Sequence, residues 1–192
     1  MPKPPRKAPF KAVLLDRDGT VIKEKPGVYL SDPAKVRLYK NTFAAFKLFK
    51  KAGYKIFIVS NQSGIGRGYF SAAQAAAVNA RMAALLKKAA PIKAVYCCPH
   101  APQEHCACRK PAPQMGLQII AKYKIDPEKS FVIGDKKSDI DFGRALGMGT
   151  VLVLTANGRA QRAKYKRELR ADKITRDLLG AAKYILQKEA GL

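Results

Sequence analysis

The 192-residue chain contains no run of about 18 apolar residues, so no membrane-spanning helix is expected. Its first residues, MPKPPRKAPFK, lack the apolar stretch of a secretory signal and read as a basic, proline-stiffened flexible tail over residues 1–11. A cytoplasmic protein is the expectation. Acid is scarce: 14 Asp and Glu stand against 37 Lys and Arg, a formal net charge of +23. Such an imbalance attracts polyanions, whether phosphorylated metabolites, nucleic acid or an anionic membrane, and says nothing about fold. Most of these lysines read as a solvated face. Cysteine is confined to Cys97, Cys98, Cys106 and Cys108, all within twelve residues. That clustering excludes a dispersed disulfide framework and, beside a histidine in a cytosolic chain, points to metal. There is no internal repeat and no sign of a second domain, so residues 12–192 read as one domain, long enough for a sizeable core.

Apolar runs alternate with helical patterns, which is the order of a parallel α/β sheet. Strands are expected at Ala12–Leu15, Lys55–Val59, Lys93–Tyr96, Phe131–Ile133 and Thr150–Leu154. They are rich in Val and Ile, as suits strands buried on both faces. Between them, helices are expected over Asn41–Ala52, from the capping box of Ser71 and Gln74 onward, and over Pro113–Lys124, Ser138–Leu146 and Arg176–Glu189. The basic stretch GRAQRAKYKRELRADK reads as a surface helix or loop.

The first strand runs into two acids, Asp16 and Asp18. Parallel sheets carry functional groups at their strands' carboxyl ends, and extended residues two apart point to one side. The pair is therefore either a set of catalysts or of metal ligands, unless it merely opens a turn, which is the ordinary reading of such a fragment alone. Three further strand ends change that balance. One delivers Ser60, Asn61 and Gln62, donors suited to phosphate oxygens. A second delivers Arg109 and Lys110, and a third Asp135 followed by Asp139.

Cys98-x-His100, then Cys106-x-Cys108, can complete a closed tetrahedral zinc shell, so a structural Zn²⁺ is expected in a zinc loop over residues 97–108. The alternative is thiols without metal. His105 could replace His100, although a residue directly before Cys106 is harder to fold onto the same ion. Cys97 is left to pack on its strand. Because Cys108 directly precedes Arg109 and Lys110, zinc would restrain that pair.

Asp16-Arg17-Asp18-Gly19-Thr20, then Ser60, Lys110 and Gly134-Asp135 with Asp139, resemble the motifs of the haloacid dehalogenase-like phosphatase superfamily over roughly residues 12–155. The loop CPH…CxC running into RKP, with DRDGT, NQSG and GDK, is similar to that of its zinc-loop subgroup, which includes sugar-bisphosphate and histidinol-phosphate phosphatases. The resemblance implies a three-layer Rossmann-like fold with a central, mostly parallel sheet flanked by helices. It also implies a Mg²⁺-dependent phosphomonoester hydrolase. Asp16 would be the nucleophile forming an aspartyl-phosphate and Asp18 the general acid/base. Ser60 and Lys110 would stabilise the phosphoryl group. Asp16, Asp135 and the backbone carbonyl of Asp18 would hold the Mg²⁺. In that subgroup Arg109 contributes to substrate recognition and Lys136 approaches substrate and metal; Asn61, Gln62 and Arg67 are further candidates for substrate binding. Ser60 stands where many members carry threonine.

About forty residues separate Asp18 from Ser60 and about fifty separate Ser60 from Lys110, intervals already filled by elements, so no large cap domain is expected. Specificity would then rest on loops near Lys23–Ser31, Gly64–Phe70 and the zinc segment. The substrate implied is a phosphorylated sugar, a heptose 1,7-bisphosphate cleaved at its 7-phosphate, with histidinol phosphate or another small phosphomonoester as alternative. A polyanion-binding protein with a vestigial phosphatase fold is the competing class. A monomer with no specific nucleic-acid or membrane partner is expected.

Overall fold

The computed structural model describes residues 9–24 and 27–191; residues 1–8 of the expected tail, Lys25 and Pro26 of the loop after the aspartates, and Leu192 lie outside the described residues. Among the described residues six strands form one sheet: β1 (Ala12–Leu15), β2 (Lys55–Asn61), β3 (Ile92–Cys98), β4 (Phe131–Gly134), β5 (Gly149–Val153) and β6 (Lys173–Thr175). Their order is β3-β2-β1-β4-β5-β6 and every pair is parallel. The strands form where sequence supplies apolar side chains to both faces: all four residues of β1 are fully buried.

Alternation along the strands builds two cores. Val13, Leu15, Ile56, Ile58, Ile133 and Val151 meet helices α1 (Thr42–Lys51), α3 (Ala72–Leu86) and α7 (Leu178–Glu189) through Phe46, Phe49, Met82, Leu86 and Ile185. Leu14, Phe57, Val59 and Val132 point oppositely, onto Met115 and Ile119 of α4 (Gln114–Tyr123) and Phe142 of α5 (Lys137–Ala145). The result is three layers, helix–sheet–helix. The capping box that opens α3 is formed as expected, Gln74 N–H donating to Ser71 Oγ at 3.2 Å and Ser71 N–H to Gln74 Oε1 at 2.8 Å.

From β1 the chain builds outward through β2 and β3, then returns to place β4 on the other side of β1. The strand order therefore reverses between β1 and β4, and the crevice at their carboxyl ends is where such sheets bind ligands. Leu15 pairs with Ile58 on one side and Ile133 on the other, so Asp16, Ser60 near the end of β2 and Asp135 lie within one residue of the same level.

Two elements differ from the sequence reading. Strand β6 falls inside a stretch with no strand signal: it has three partly exposed residues at the sheet edge and exists through its pairing with β5. Helix α2 (Ser63–Gly66) is a single turn containing two glycines, too short and too poor in helix formers to announce itself. The basic stretch after Asn157 begins as a surface helix, α6 (Gly158–Lys164). Phe10, inside the expected tail, makes a parallel bridge to Ile125. Among the described residues no helix is long and apolar enough to cross a membrane.

Candidate active site

At the crevice, Asp16, Asp18, Ser60, Asn61, Gln62, Lys110 and Lys136 line one cavity of about 70 Å³, together with Arg17, Glu24, Val28, Tyr29, Leu30, Ser138 and Asp139. Lys110 is buried and its ammonium lies 2.7 Å from Asp16 Oδ1, 2.7 Å from Asp139 Oδ1 and 2.6 Å from the carbonyl of Val59. Those three partners take all of its donors, so it acts on the cavity as an oriented charge. Burial alone would lower its pKa; the Asp139 and Asp16 carboxylates outweigh burial and raise it. Asn61 fixes the same residue from β2: its Nδ2 donates to the Lys110 carbonyl and its Oδ1 accepts from the Lys110 N–H, both at 3.0 Å.

Gln62 is fully engaged. Its Nε2 donates to Asp18 Oδ2 and to Ser60 Oγ, each at 2.7 Å, and its Oε1 accepts from Arg17 at 2.8 Å. Ser60 therefore accepts through its oxygen and keeps its own O–H free to donate into the cavity. For a ligand, Gln62 has no N–H left and Asn61 has one.

Five of the chain's 14 acidic side chains gather here: Asp16, Asp18, Glu24, Asp135 and Asp139. They face three cations, Arg17, Lys110 and Lys136, which leaves an excess of two negative charges (five minus three). Asp16, Asp135 and Asp139 each offer an oxygen within 4.8 Å of the others. Asp139 is taken by Lys110 and, at 3.0 Å, by the Lys136 N–H. In contrast, Asp16 Oδ2 and Asp135 Oδ1 are buried with no hydrogen-bond partner among the described residues. Lys136 Nζ lies 3.7 Å from Asp135 Oδ1, an ion pair without a hydrogen bond, and buried carboxylate oxygens without hydrogen bonds carry a large desolvation cost. Burial first, then the Asp16 and Asp139 charges, push the Asp135 carboxyl up to about 7, against the opposing pull of Lys136 and Asn157. Two orphaned hard oxygens beside an excess charge of two fit a divalent cation such as Mg²⁺.

Gly19 makes this approach feasible. Its φ is +88°, and a Cβ there would collide with Asp135 Oδ2 and lie 2.9 Å from the Cβ of Ala156. Gly19→Ala is expected to lower stability by about 1–2 kcal/mol from the left-handed backbone alone, read from a urea midpoint, with a further loss as Asp135 is displaced.

The zinc-loop residues converge as well. Cys98 and Cys106 Sγ lie 3.4 Å apart, Cys106 and Cys108 3.5 Å, and His100 Nδ1 is 3.6 Å from Cys98 and 3.3 Å from Cys108. A tetrahedron with Zn–S of about 2.3 Å and Zn–N of about 2.0–2.1 Å has edges of about 3.5–3.8 Å, close to these separations. Disulfide bonds, at about 2.05 Å, are excluded. Burial pushes the Cys98 thiol up to about 12. For Cys106 burial also works upward, but hydrogen bonds from Cys98 and Cys108 outweigh it and bring the thiol down to about 7. His105 stands outside this cluster, exposed and with φ +46°. Cys97 accepts from Asn79 Nδ2 at 3.6 Å.

Arg67 and Arg109 do not line the cavity: Arg67 is exposed on the turn after α2, and Arg109 Nη1 donates to the His100 carbonyl at 3.3 Å. The expected specificity loops do meet at the rim. Tyr29 packs on Tyr69 and Phe70, with ring centroids 5.2 Å and 5.8 Å apart, and the Gly66 N–H donates to Pro99 of the zinc loop at 2.8 Å. Sequence reasoning gave no role to Arg17, Glu24 or Asn157. Asn157 donates twice to Asp135 Oδ2 at 3.0 Å and once to Glu24 at 3.1 Å, and Lys136 lies 3.4 Å from Glu24. A recoverable signal existed only for Asn157, which follows the fifth strand's carboxyl end.

A parallel sheet of this order, with paired aspartates after β1, a buried lysine and an acid after β4, defines a haloacid-dehalogenase-like hydrolase. The HAD-hydrolase-like family profile matches residues 107–181. The D-glycero-beta-D-manno-heptose-1,7-bisphosphate 7-phosphatase of Helicobacter pylori strain J99 is 38% identical over 149 residues, 77% of this chain and 84% of that protein. The enzyme of the same name from Neisseria meningitidis serogroup A is 30% identical over 183 residues, 94% of this chain and 97% of that protein. The crystal structure of the D,D-heptose 1,7-bisphosphate phosphatase from B. bronchiseptica, complexed with magnesium and phosphate, has a TM-score of 0.85 at 30% identity, covering 93% of this chain and 99% of that one. The chain belongs to the D-glycero-D-manno-heptose-1,7-bisphosphate 7-phosphatase family.

Proposed function

We propose that this protein removes the 7-phosphate of D-glycero-D-manno-heptose 1,7-bisphosphate through an aspartyl-phosphate, as a single phosphatase domain acting as a monomer in the cytoplasm. The observation that carries the mechanism is the state of Asp16: Lys110 holds one oxygen at 2.7 Å, while the other, buried, has no hydrogen-bond partner among the described residues. A carboxylate held in this way at a strand end, one oxygen on the Lys110 ammonium and the other left for the cation, is an oriented nucleophile. Asp16 attacks phosphorus and the ester P–O bond breaks. The departing sugar oxygen takes a proton from Asp18. Water then attacks the aspartyl-phosphate, gives its proton to Asp18, and inorganic phosphate leaves with Asp16 restored.

Lys110 contributes charge beside the transferring group, and the Ser60 hydroxyl contributes a hydrogen bond. Asp16, Asp135 and the backbone carbonyl of Asp18 would hold Mg²⁺, which when bound supplies the positive charge that admits a phosphate dianion among these carboxylates. Cys98, His100, Cys106 and Cys108 would hold a structural Zn²⁺. The sugar bisphosphate is supported by the relatives' activity, with the exposed Arg67 and the Arg109 beside the cysteine cluster, both outside the cavity, as cations for a second phosphate. Four cysteines, none in a disulfide, fit a reducing compartment.

The test is phosphate release with Mg²⁺ from heptose 1,7-bisphosphate and from histidinol phosphate. The heptose is expected to have the higher kcat/KM by at least about tenfold, the scale of one good charged contact. Slow, equal turnover of both would overturn the substrate assignment.

A further inference from the structure

Arg17 is the residue between the paired aspartates, and its side chain goes where a surface cation would not. It is 1% exposed, whereas the other arginines among the described residues stay at least partly in solvent. Every arm of the guanidinium is engaged: Nε and Nη2 lie 3.0 Å and 2.9 Å from Asp18 Oδ2, Nη2 donates to Gln62 Oε1 at 2.8 Å, and Nη1 donates to Asn79 Oδ1 at 2.8 Å. Asn79 sits on α3, and its amide in turn donates to Cys97. Gln62 adds a third hydrogen bond to the same Asp18 oxygen at 2.7 Å.

The consequence is an asymmetric carboxyl. Oδ2 of Asp18 receives only N–H donors, and a guanidinium has no acceptor to offer in return. A proton on Oδ2 would confront those donors. Oδ1 receives no hydrogen bond among the described residues, on a side chain that lines the cavity and is 15% exposed. We propose that Arg17 is a positioning residue that pins Asp18 by Oδ2, so that Oδ1 alone carries the proton delivered to the leaving oxygen. This inference rests on the reading of Asp18 as general acid. Arg17 touches neither substrate nor phosphorus in this role; it acts through Asp18.

Leaving-group dependence tests it, because kcat/KM covers the steps up to formation of the aspartyl-phosphate. An alkyl phosphate needs its leaving oxygen protonated, whereas p-nitrophenyl phosphate departs as a stable phenolate. Arg17→Met is expected to lose on the order of 10²-fold in kcat/KM on an alkyl phosphate and under about tenfold on p-nitrophenyl phosphate, as removal of acid catalysis requires. Arg17→Lys, lacking the planar fork, is expected to recover little of it. Should Arg17→Met fail to fold, Asn79→Ala, which frees one arm of the guanidinium from a half-exposed position, is expected to show the same selectivity at smaller size. Equal losses on both substrates in the Arg17 and Asn79 variants, alongside a selective loss in Asp18→Asn, would overturn the positioning role. Equal losses in Asp18→Asn itself would instead overturn the assignment of Asp18 as the acid.

Discussion

Asp16→Asn is expected to abolish phosphate release, by on the order of 10⁵-fold or more as when other covalent nucleophiles are removed, and to raise the melting temperature of the metal-free protein. Both effects come from one charge. The amide keeps an oxygen for Lys110, so the ion pair of Lys110 with Asp139 at 2.7 Å still anchors the lysine. It cannot, however, form a mixed anhydride with phosphate that water would open at the same rate. As for stability, five carboxylates surround three cations here, and Asp16 raises the pKa of Asp135, Asp139 and Glu24 by proximity. Removing its charge relieves that repulsion and brings an N–H donor to a cluster short of them. Added Mg²⁺ should therefore stabilise the native protein more than the variant. Turnover by Asp16→Asn within about tenfold of the native rate would end the covalent mechanism, and a fall in melting temperature would show that the carboxylate is stabilising rather than strained.

The crowding of carboxylates at this site shows how charge is divided over the molecule. The chain carries +23 overall, yet more than a third of its acids meet in one crevice. A basic exterior would draw a multiply phosphorylated anion toward the protein, while five carboxylates in the crevice would admit its phosphate only together with a divalent cation. Charge totals thus describe the approach of the substrate and say nothing of the place where it reacts.

Most strands could be read from sequence because they are buried on both faces: AVLL and FVIG are continuous apolar runs of strand length with polar exits. The edge strand Lys173–Thr175 could not, since its stability comes from main-chain pairing to Val151–Val153 and not from its own side chains. The same distinction divides the site. Asp16, Asp18, Lys110, Asp135 and the four zinc-loop residues sit in local patterns, and patterns are visible. Arg17 and Glu24 matter through partners distant in the chain: Arg17 meets Asn79 on α3, and Glu24 meets Asn157 beyond β5. No spacing rule connects those positions. Asn61 and Gln62 were legible as polar groups at a strand end, but not as groups already committed to Lys110, Asp18 and Ser60.

The zinc loop offers the second large effect. Cys106→Ala is expected to reduce bound zinc from about one per chain to almost none, because a three-ligand remnant loses most of the affinity that folding and metal binding share. Its effect on turnover should be uneven. Lys110 is tied to the sheet by both hydrogen bonds of Asn61 and by its own contact with Val59, none of which passes through the metal. Arg109, in contrast, is attached to the carbonyl of His100, a residue of the Cys/His cluster, and Gly66 of the rim hangs on Pro99 beside it. Loss of zinc should therefore free Arg109 and the rim first, raising KM while kcat falls less, for a combined loss of about 10–100-fold in kcat/KM, the usual cost of removing support around a site. Asn61→Ala should reverse the pattern and lower kcat more than it raises KM. Combined, the two should cost more than the sum of their free energies, since each leaves the other as the remaining anchor of the Arg109–Lys110 segment. Zinc-free Cys106→Ala with native kcat and KM would show that the loop merely packs against the site.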